Sequence, residues 1–192
     1  LWKYRCKPSK MIYWIVPLQL IWANFHEAYG TGMVITVTVT IAYWIEYIYF
    51  RNKEEFSELK PVIPGDLTIA SLLSIAAVSV NPYGYKLILH PFNIFSQMQE
   101  NKFTTELLSF MKADYWQYQS YINIGVFTLC LILLFYKFSS QKKKIPWYFN
   151  PVLNFGLGYF ILFFLFFYLS LSAFRNIPFF IIIVNKTIID MK

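Results

Sequence analysis

The sequence predicts an all-α protein, a polytopic bundle of about five to six membrane helices with one long loop on the outer side. Three observations predict it. The 192 residues are 57% hydrophobic and 21% aromatic with only 14% charged, whereas an ordinary soluble domain carries about 25% charged residues. The apolar residues fall in runs near the roughly 20 that a helix needs to cross about 30 Å of hydrocarbon. Lys and Arg gather in alternate connections, the arrangement expected when basic loops are retained on the cytoplasmic side.

The chain reads as one membrane domain over 1–192. The first helix is expected over 11–25, with Pro17 inside it; neighbouring helices can re-satisfy the carbonyl that a proline frees, so a kink is tolerated there. The second is expected over 33–50. Within it VITVTVTI alternates β-branched residues and threonine, which favours a strand. A barrel requires that alternation throughout, and IGVFTLCLILLF and FGLGYFILFFLFFYLSL are continuous apolar runs instead. Helix is therefore predicted throughout, with Thr36, Thr38 and Thr40 as a helix-packing stripe. Glu46, near the inner end of this helix, is expected to reach the cytoplasmic boundary. Further helices are expected over 66–81, 121–138 and 152–173, and another apolar run starts at Ile177. The connection 82–120 is far longer than the roughly 12–15 residues typical of a plain loop. Its many aromatics, among them Tyr83, Phe92, Phe103 and Trp116, argue against disorder, and KLILHPFNIF within it reads as a short helix on the membrane surface.

Charge orients the hairpins. Lys3, Arg5, Lys7 and Lys10, then Arg51, Lys53 and Lys60, then Lys137, Lys142, Lys143 and Lys144 make eleven of the seventeen basic residues. The intervening connections hold Lys86, Lys102, Lys112 and Arg175. This puts the amino-terminal tail in the cytoplasm, and it puts the Trp22–Gly32 hairpin, the 82–120 loop and Arg175 outside. The net charge of +7 thus reports topology, and no nucleic-acid partner is expected. Cys6 lies in a basic tail and Cys130 in an apolar run, so no disulfide is expected. The chain opens at Leu1 with no signal-peptide pattern, and a piece of a longer protein is expected.

Chemistry collects on the outer side: Asn24, His26 and Glu27 in the hairpin, the NPYG turn at Asn81–Gly84, Glu100, Glu106 and Asp114 in the long loop, and Arg175 in FRNIPFF. Each also has a plain reading. The hairpin residues suit a helix end at the interface, the aromatics suit an interfacial belt, His90 reads as structural, and Arg175 can snorkel. An arginine between two apolar runs is costly without an anionic partner, and a phosphate bound in bidentate fashion supplies one. No phosphate-binding glycine loop, HExxH, paired CxxC or GxSxG is present. His26 and His90 with carboxylates suggest a divalent metal only weakly, so no metal and no cofactor is assigned.

WANFHEAYGTG resembles the W-A-N-x-H-G-G-x-x-x-G signature of a group of bacterial polytopic membrane proteins of the predicted GT-C glycosyltransferase type. The resemblance continues in order through NPYG, a loop glutamate for which Glu106 in TELLSF is the counterpart, and R-N-I-P-x-F at Arg175–Phe180. It spans most of the chain, and Glu27 and Ala28 stand where the group has two glycines. The resemblance implies a bacterial cytoplasmic-membrane enzyme whose donor is a polyprenyl-phosphate-linked sugar. The group's catalytic acid lies in an early outer loop, expected before Leu1, which leaves the catalytic residue here unknown, with Glu106 and Asp114 as weak candidates. Asn24, His26, Glu27 and Arg175 are the expected substrate-binding residues, and His26, Glu106 and Arg175 are expected to share one outer cavity. The expected function is the carboxy-terminal-side half of an inverting transferase acting at the outer face, in contact with membrane lipid. A transporter or flippase and a non-catalytic assembly subunit are the rival readings; the sequence names no protein partner.

Overall fold

The structure, a computed structural model, describes residues 9–52, 62–98, 117–139 and 156–190. Among them are seven α-helices and no strand: α1 (Ile15–Phe25), α2 (Tyr29–Phe50), α3 (Gly65–Val78), α4 (Lys86–Met98), α5 (Gln117–Ser139), α6 (Leu157–Ser172) and α7 (Ile177–Asp190). The all-α expectation holds, and the VITVTVTI stretch lies inside α2. Of these helices α2, at 22 residues, is long and apolar enough to cross a membrane; Gly65–Val78, Tyr121–Leu133 and Leu157–Ser172 are apolar but shorter. The expected 66–81 helix stops at Val78. Its 14 residues reach about 21 Å at roughly 1.5 Å each.

The chain divides into two compact units, one of residues 1–95 with 156–158, the other of 96–155 with 159–192. In the first, a 3-10 turn at Lys10–Trp14, capped by the Ser9 hydroxyl, leads into α1. Pro17 therefore falls in the first α-turn, where a missing N–H costs least. α1 packs against α3, and α2 packs against both. Tyr13 donates to Asp66 at 2.9 Å near the starts of α1 and α3, and Asp66 suits the positive end of α3.

The inside of this unit mixes apolar and polar side chains, and its outside is largely apolar. Gln19, Thr36, Thr40, Glu46, Ser71 and Ser74 are buried. Leu18, Ile21 and Phe25 of α1, Ile41, Ile45 and Ile48 of α2, and Ile69, Leu72 and Leu73 of α3 are exposed. The expected threonine stripe packs as two kinds of contact. Thr40 exchanges a 2.6 Å hydrogen bond with Ser71 of α3, while Thr36 turns back onto the Gly32 and Met33 carbonyls. Trp44 adds a bond to Thr68, at 2.9 Å.

Glu46 is buried and accepts the backbone N–H of Leu157, the first residue of α6. A helix start leaves N–H groups unpaired, and a carboxylate there is favoured by the helix dipole. Gly158 completes the contact, since a Cβ there would lie 3.2 Å from Ala42 Cβ.

In the second unit α5, α6 and α7 meet through phenylalanine rings. Phe127 stacks on Phe167 at 3.6 Å and on Phe163 at 5.2 Å, and Phe180 of α7 packs beside Phe163 and Phe167. Tyr159 ties α6 to α7 by donating to the Ile183 carbonyl at 2.9 Å. Cys130 is buried and free, as expected from its apolar run.

A candidate substrate cavity at the α1–α2 hairpin

The carboxy-terminal ends of α1 and α3 and the amino-terminal end of α2 are tied together by the polar residues of the two motifs. Asn24, in the last turn of α1, donates its amide N–H groups to Leu20 O at 2.8 Å and to Val80 O at 3.1 Å. The second bond clips the end of α1 to the segment just before NPYG. Asn81 then builds the turn. Its side-chain nitrogen donates to Val78 O, and its oxygen accepts Tyr83 N–H at 2.7 Å. Gly84 takes φ +60 and its N–H closes on Asn81 O at 3.0 Å. That left-handed conformation favours glycine, and with Pro82 it turns the chain directly into α4.

α4 is fixed to the first turn of α2 by three residues that act together. Pro91 lies inside α4 and has no N–H to give the Leu87 carbonyl four residues earlier. The Tyr29 hydroxyl takes that carbonyl instead, at 2.6 Å. Beneath the proline ring sits Gly30, where an added Cβ would come within 2.7 Å of Pro91 Cγ. Gly32 allows the equally close approach of α1, because a Cβ there would collide with Gln19 Oε1 and lie 3.0 Å from the Trp22 ring. Gln19, buried, donates to Tyr29 O at 2.9 Å. Tyr29, Met33 and Val78 form the apolar core of this end, with Trp22, Ile75, Leu87 and Ile88 around it. Gly30 and Gly32 are thus the positions at which neighbouring segments approach the start of α2 closely.

His26 closes the hairpin. α2 begins without a side-chain cap, and His26 Nδ1 accepts the N–H of Ala28, the residue just before the helix, at 3.0 Å. With Nδ1 used as an acceptor, the proton of the neutral ring resides on Nε2. Asn24 has both amide hydrogens committed, so its Oδ1 is the remaining acceptor. The two side chains therefore offer one donor and one acceptor, the pair that a hydroxyl group satisfies.

Both lie on a cavity of about 270 Å³ whose lining also includes Glu27, Tyr29, Asn81, Tyr83 and His90. A second hollow of about 290 Å³ shares Tyr83, Leu87 and His90 with it and adds Lys86. The structure thus brings Asn24, His26 and Glu27 together with the NPYG turn, and it adds His90, which the sequence placed in a structural role. Among the described residues no group of three or more His, Cys, Asp or Glu is placed to hold a metal. Glu100, Glu106 and Asp114 lie outside the described residues.

Arg175 belongs to the second unit. It is half-buried in a 3-10 turn, Phe174–Asn176, between α6 and α7. Its neighbours explain most of their motif structurally. Asn176 donates to Leu169 O at 3.0 Å and so caps the end of α6; Pro178 sits in the first turn of α7, where proline is tolerated; Phe180 is fully buried in the ring cluster. Sequence reading missed Gln19, Tyr29 and the capping role of Glu46. A polar residue inside an apolar run was the available signal for Gln19 and Glu46, and the spacing of Tyr29 from Pro91 carries none. No family model, curated protein or solved structure matches the chain.

Proposed function

We propose that this chain forms part of a polytopic membrane glycosyltransferase, in which the cavity between the α1–α2 hairpin and the NPYG turn binds a polyhydroxylated substrate and a polyprenyl-phosphate-linked sugar is the donor. The observation that carries this reading is the convergence of Asn24, His26, Glu27 and His90 on one cavity. A His26 Nε2–H donor, an Asn24 Oδ1 acceptor and the Glu27 carboxylate suit sugar hydroxyls, and the Tyr83 ring suits the apolar face of a sugar. The broad exposed apolar surface, with polar side chains such as Gln19, Thr40 and Ser71 buried, supports the membrane setting. An apolar surface of that extent is abnormal in water and ordinary in lipid, where polar groups face the bundle interior.

In this mechanism a carboxylate takes the proton of the acceptor hydroxyl while its oxygen attacks the anomeric carbon of the donor. The bond from that carbon to the phosphate oxygen breaks, the configuration inverts, and polyprenyl phosphate leaves. Arg175 neutralises the charge that builds on the leaving phosphate. His26 and Asn24 orient hydroxyls. Glu106 and Asp114, outside the described residues, are the candidate carboxylates.

The test is release of polyprenyl phosphate from a labelled polyprenyl-phosphate hexose, using membranes from cells that express the complete gene product. Arg175→Lys keeps the charge but loses the planar fork. Losing a buried charged hydrogen bond costs about 2–5 kcal/mol, at least a roughly tenfold drop at about 1.4 kcal/mol per decade. His26→Ala is expected to lower the rate as well. Both variants must insert at the wild-type level. Full release by both overturns the roles given to Arg175 and His26; donor movement across the bilayer without hydrolysis or transfer overturns the reading in favour of a transporter.

A further inference from the structure

The faces of α4 differ in a way that the cavity alone does not require. At about 100° per residue, Leu87, Ile88 and Pro91 share one face, and these are the residues packed onto Tyr29, Met33, Val78 and Gly30. Tyr85, just before the helix, and Leu89 and Phe92 form a second row, at spacings of four and three. They are 70%, 56% and 67% exposed. Lys86, His90 and Asn93 form a third row with the same spacing, also exposed. Around the helix the order is packed, apolar, polar. Tyr85, Leu89 and Phe92 make an exposed apolar edge directly beside a polar one.

We propose that the Tyr85–Leu89–Phe92 edge of α4 is seated in the interfacial layer of the lipid bilayer, so that α4 lies along the membrane surface with its Lys86–His90–Asn93 edge toward water. The occupant follows from where α4 is held. It is fastened to the first turn of α2, through Tyr29 and Leu87 and through Gly30 and Pro91, and α2 is the helix long and apolar enough to cross a membrane. The first turn of a crossing helix lies at the hydrocarbon boundary. A helix fixed there, apolar on one edge and polar on the other, matches the gradient from acyl chain to water. Tyr85 suits the headgroup level, and Lys86 on the upper edge suits anionic lipid. His90 on the polar edge also lines the cavity, so one wall of the cavity lies on the water side of α4. The membrane seat of α4 is independent of whether the cavity supports sugar transfer.

The test uses the complete protein in vesicles of phosphatidylcholine and phosphatidylglycerol. Single cysteines replace residues 85, 86, 89, 90, 92 and 93 in turn, in a Cys6→Ser, Cys130→Ala background, and carry an environment-sensitive fluorophore. Because all six side chains are exposed, labelling leaves the packed face intact. Fluorescence is expected to be lost to acyl-chain bromolipid at Tyr85→Cys, Leu89→Cys and Phe92→Cys, and to be retained at Lys86→Cys, His90→Cys and Asn93→Cys. Aqueous iodide is expected to give the opposite pattern. Quenching without this three-and-four period, or with the rows reversed, overturns the proposal. Protection of 85, 89 and 92 from both quenchers also overturns it, because a protein then covers that edge.

Discussion

The attachment of α4 to α2 makes a quantitative prediction, because Tyr29 compensates for a defect that Pro91 creates. Without an N–H at position 91, the Leu87 carbonyl has no helical partner and depends on the Tyr29 hydroxyl, 2.6 Å away. Tyr29→Phe removes that donor and leaves an orphaned acceptor in a part-buried site, at a cost of about 1–3 kcal/mol. Comparable bonds in membrane proteins average about 0.6 kcal/mol and reach about 1.7, so a loss of roughly 1–2 kcal/mol is expected here. Pro91→Ala restores the N–H and lets α4 satisfy Leu87 by itself. In that background Tyr29→Phe loses little beyond packing. The two substitutions should therefore couple by about 1 kcal/mol, as contacting residues do. The assay is a double-mutant cycle of unfolding in mixed detergent, with helix content followed throughout. If Tyr29→Phe costs the same with and without Pro91, the hydroxyl is not serving the proline, and the account of how α4 is held is wrong.

The remaining predictions concern the opposite end of the first unit and the topology. Glu46→Ala should cost about 1–3 kcal/mol in the same unfolding assay, because the Leu157 N–H it accepts loses its partner; Glu46→Gln keeps an acceptor and should cost clearly less, and equal losses for both would refute the capping role. With Cys6 and Cys130 removed, Ser9→Cys and Asn52→Cys should resist an impermeant thiol reagent in intact cells and Tyr83→Cys should react, whereas labelling of Ser9→Cys with protection of Tyr83→Cys inverts the orientation read from the basic residues.

Helix content was legible in the sequence because long apolar runs leave the backbone few other ways to pair its own polar groups. Boundaries were less so. α3 ends at Val78 rather than 81 because Asn81 turns back on the Val78 carbonyl, a local side-chain bond that hydropathy does not register. The helix in KLILHPFNIF was legible from its composition, and its attachment was not, since Tyr29 and Pro91 lie far apart in the chain and neither is unusual alone. Glu46 was visible as a charge in an apolar run but was read by its distance to the helix end. Its partner, the Leu157 backbone N–H, is a group that every helix start offers and no residue identity marks.

The candidate site was legible in another sense. The distribution of basic residues placed Asn24, His26 and Asn81 on one side, and the fold explains why these residues occur together before any ligand is considered. Asn24 clips α1 to Val80, Asn81 folds the turn, and His26 holds the Ala28 N–H just before α2. Each could therefore be required for folding alone, so a loss of activity on replacing one does not by itself identify a binding role. The atoms left over after those structural bonds are more discriminating: His26 Nε2, Asn24 Oδ1 and the His90 ring. His90 is the cleanest probe of the cavity, because it is exposed, sits on the polar edge of α4, and no hydrogen bond recorded among the described residues ties it to the fold. A ligand effect at His90 without a stability effect would mark the cavity as a site. A stability effect at Asn24 or His26 would mark only the hairpin.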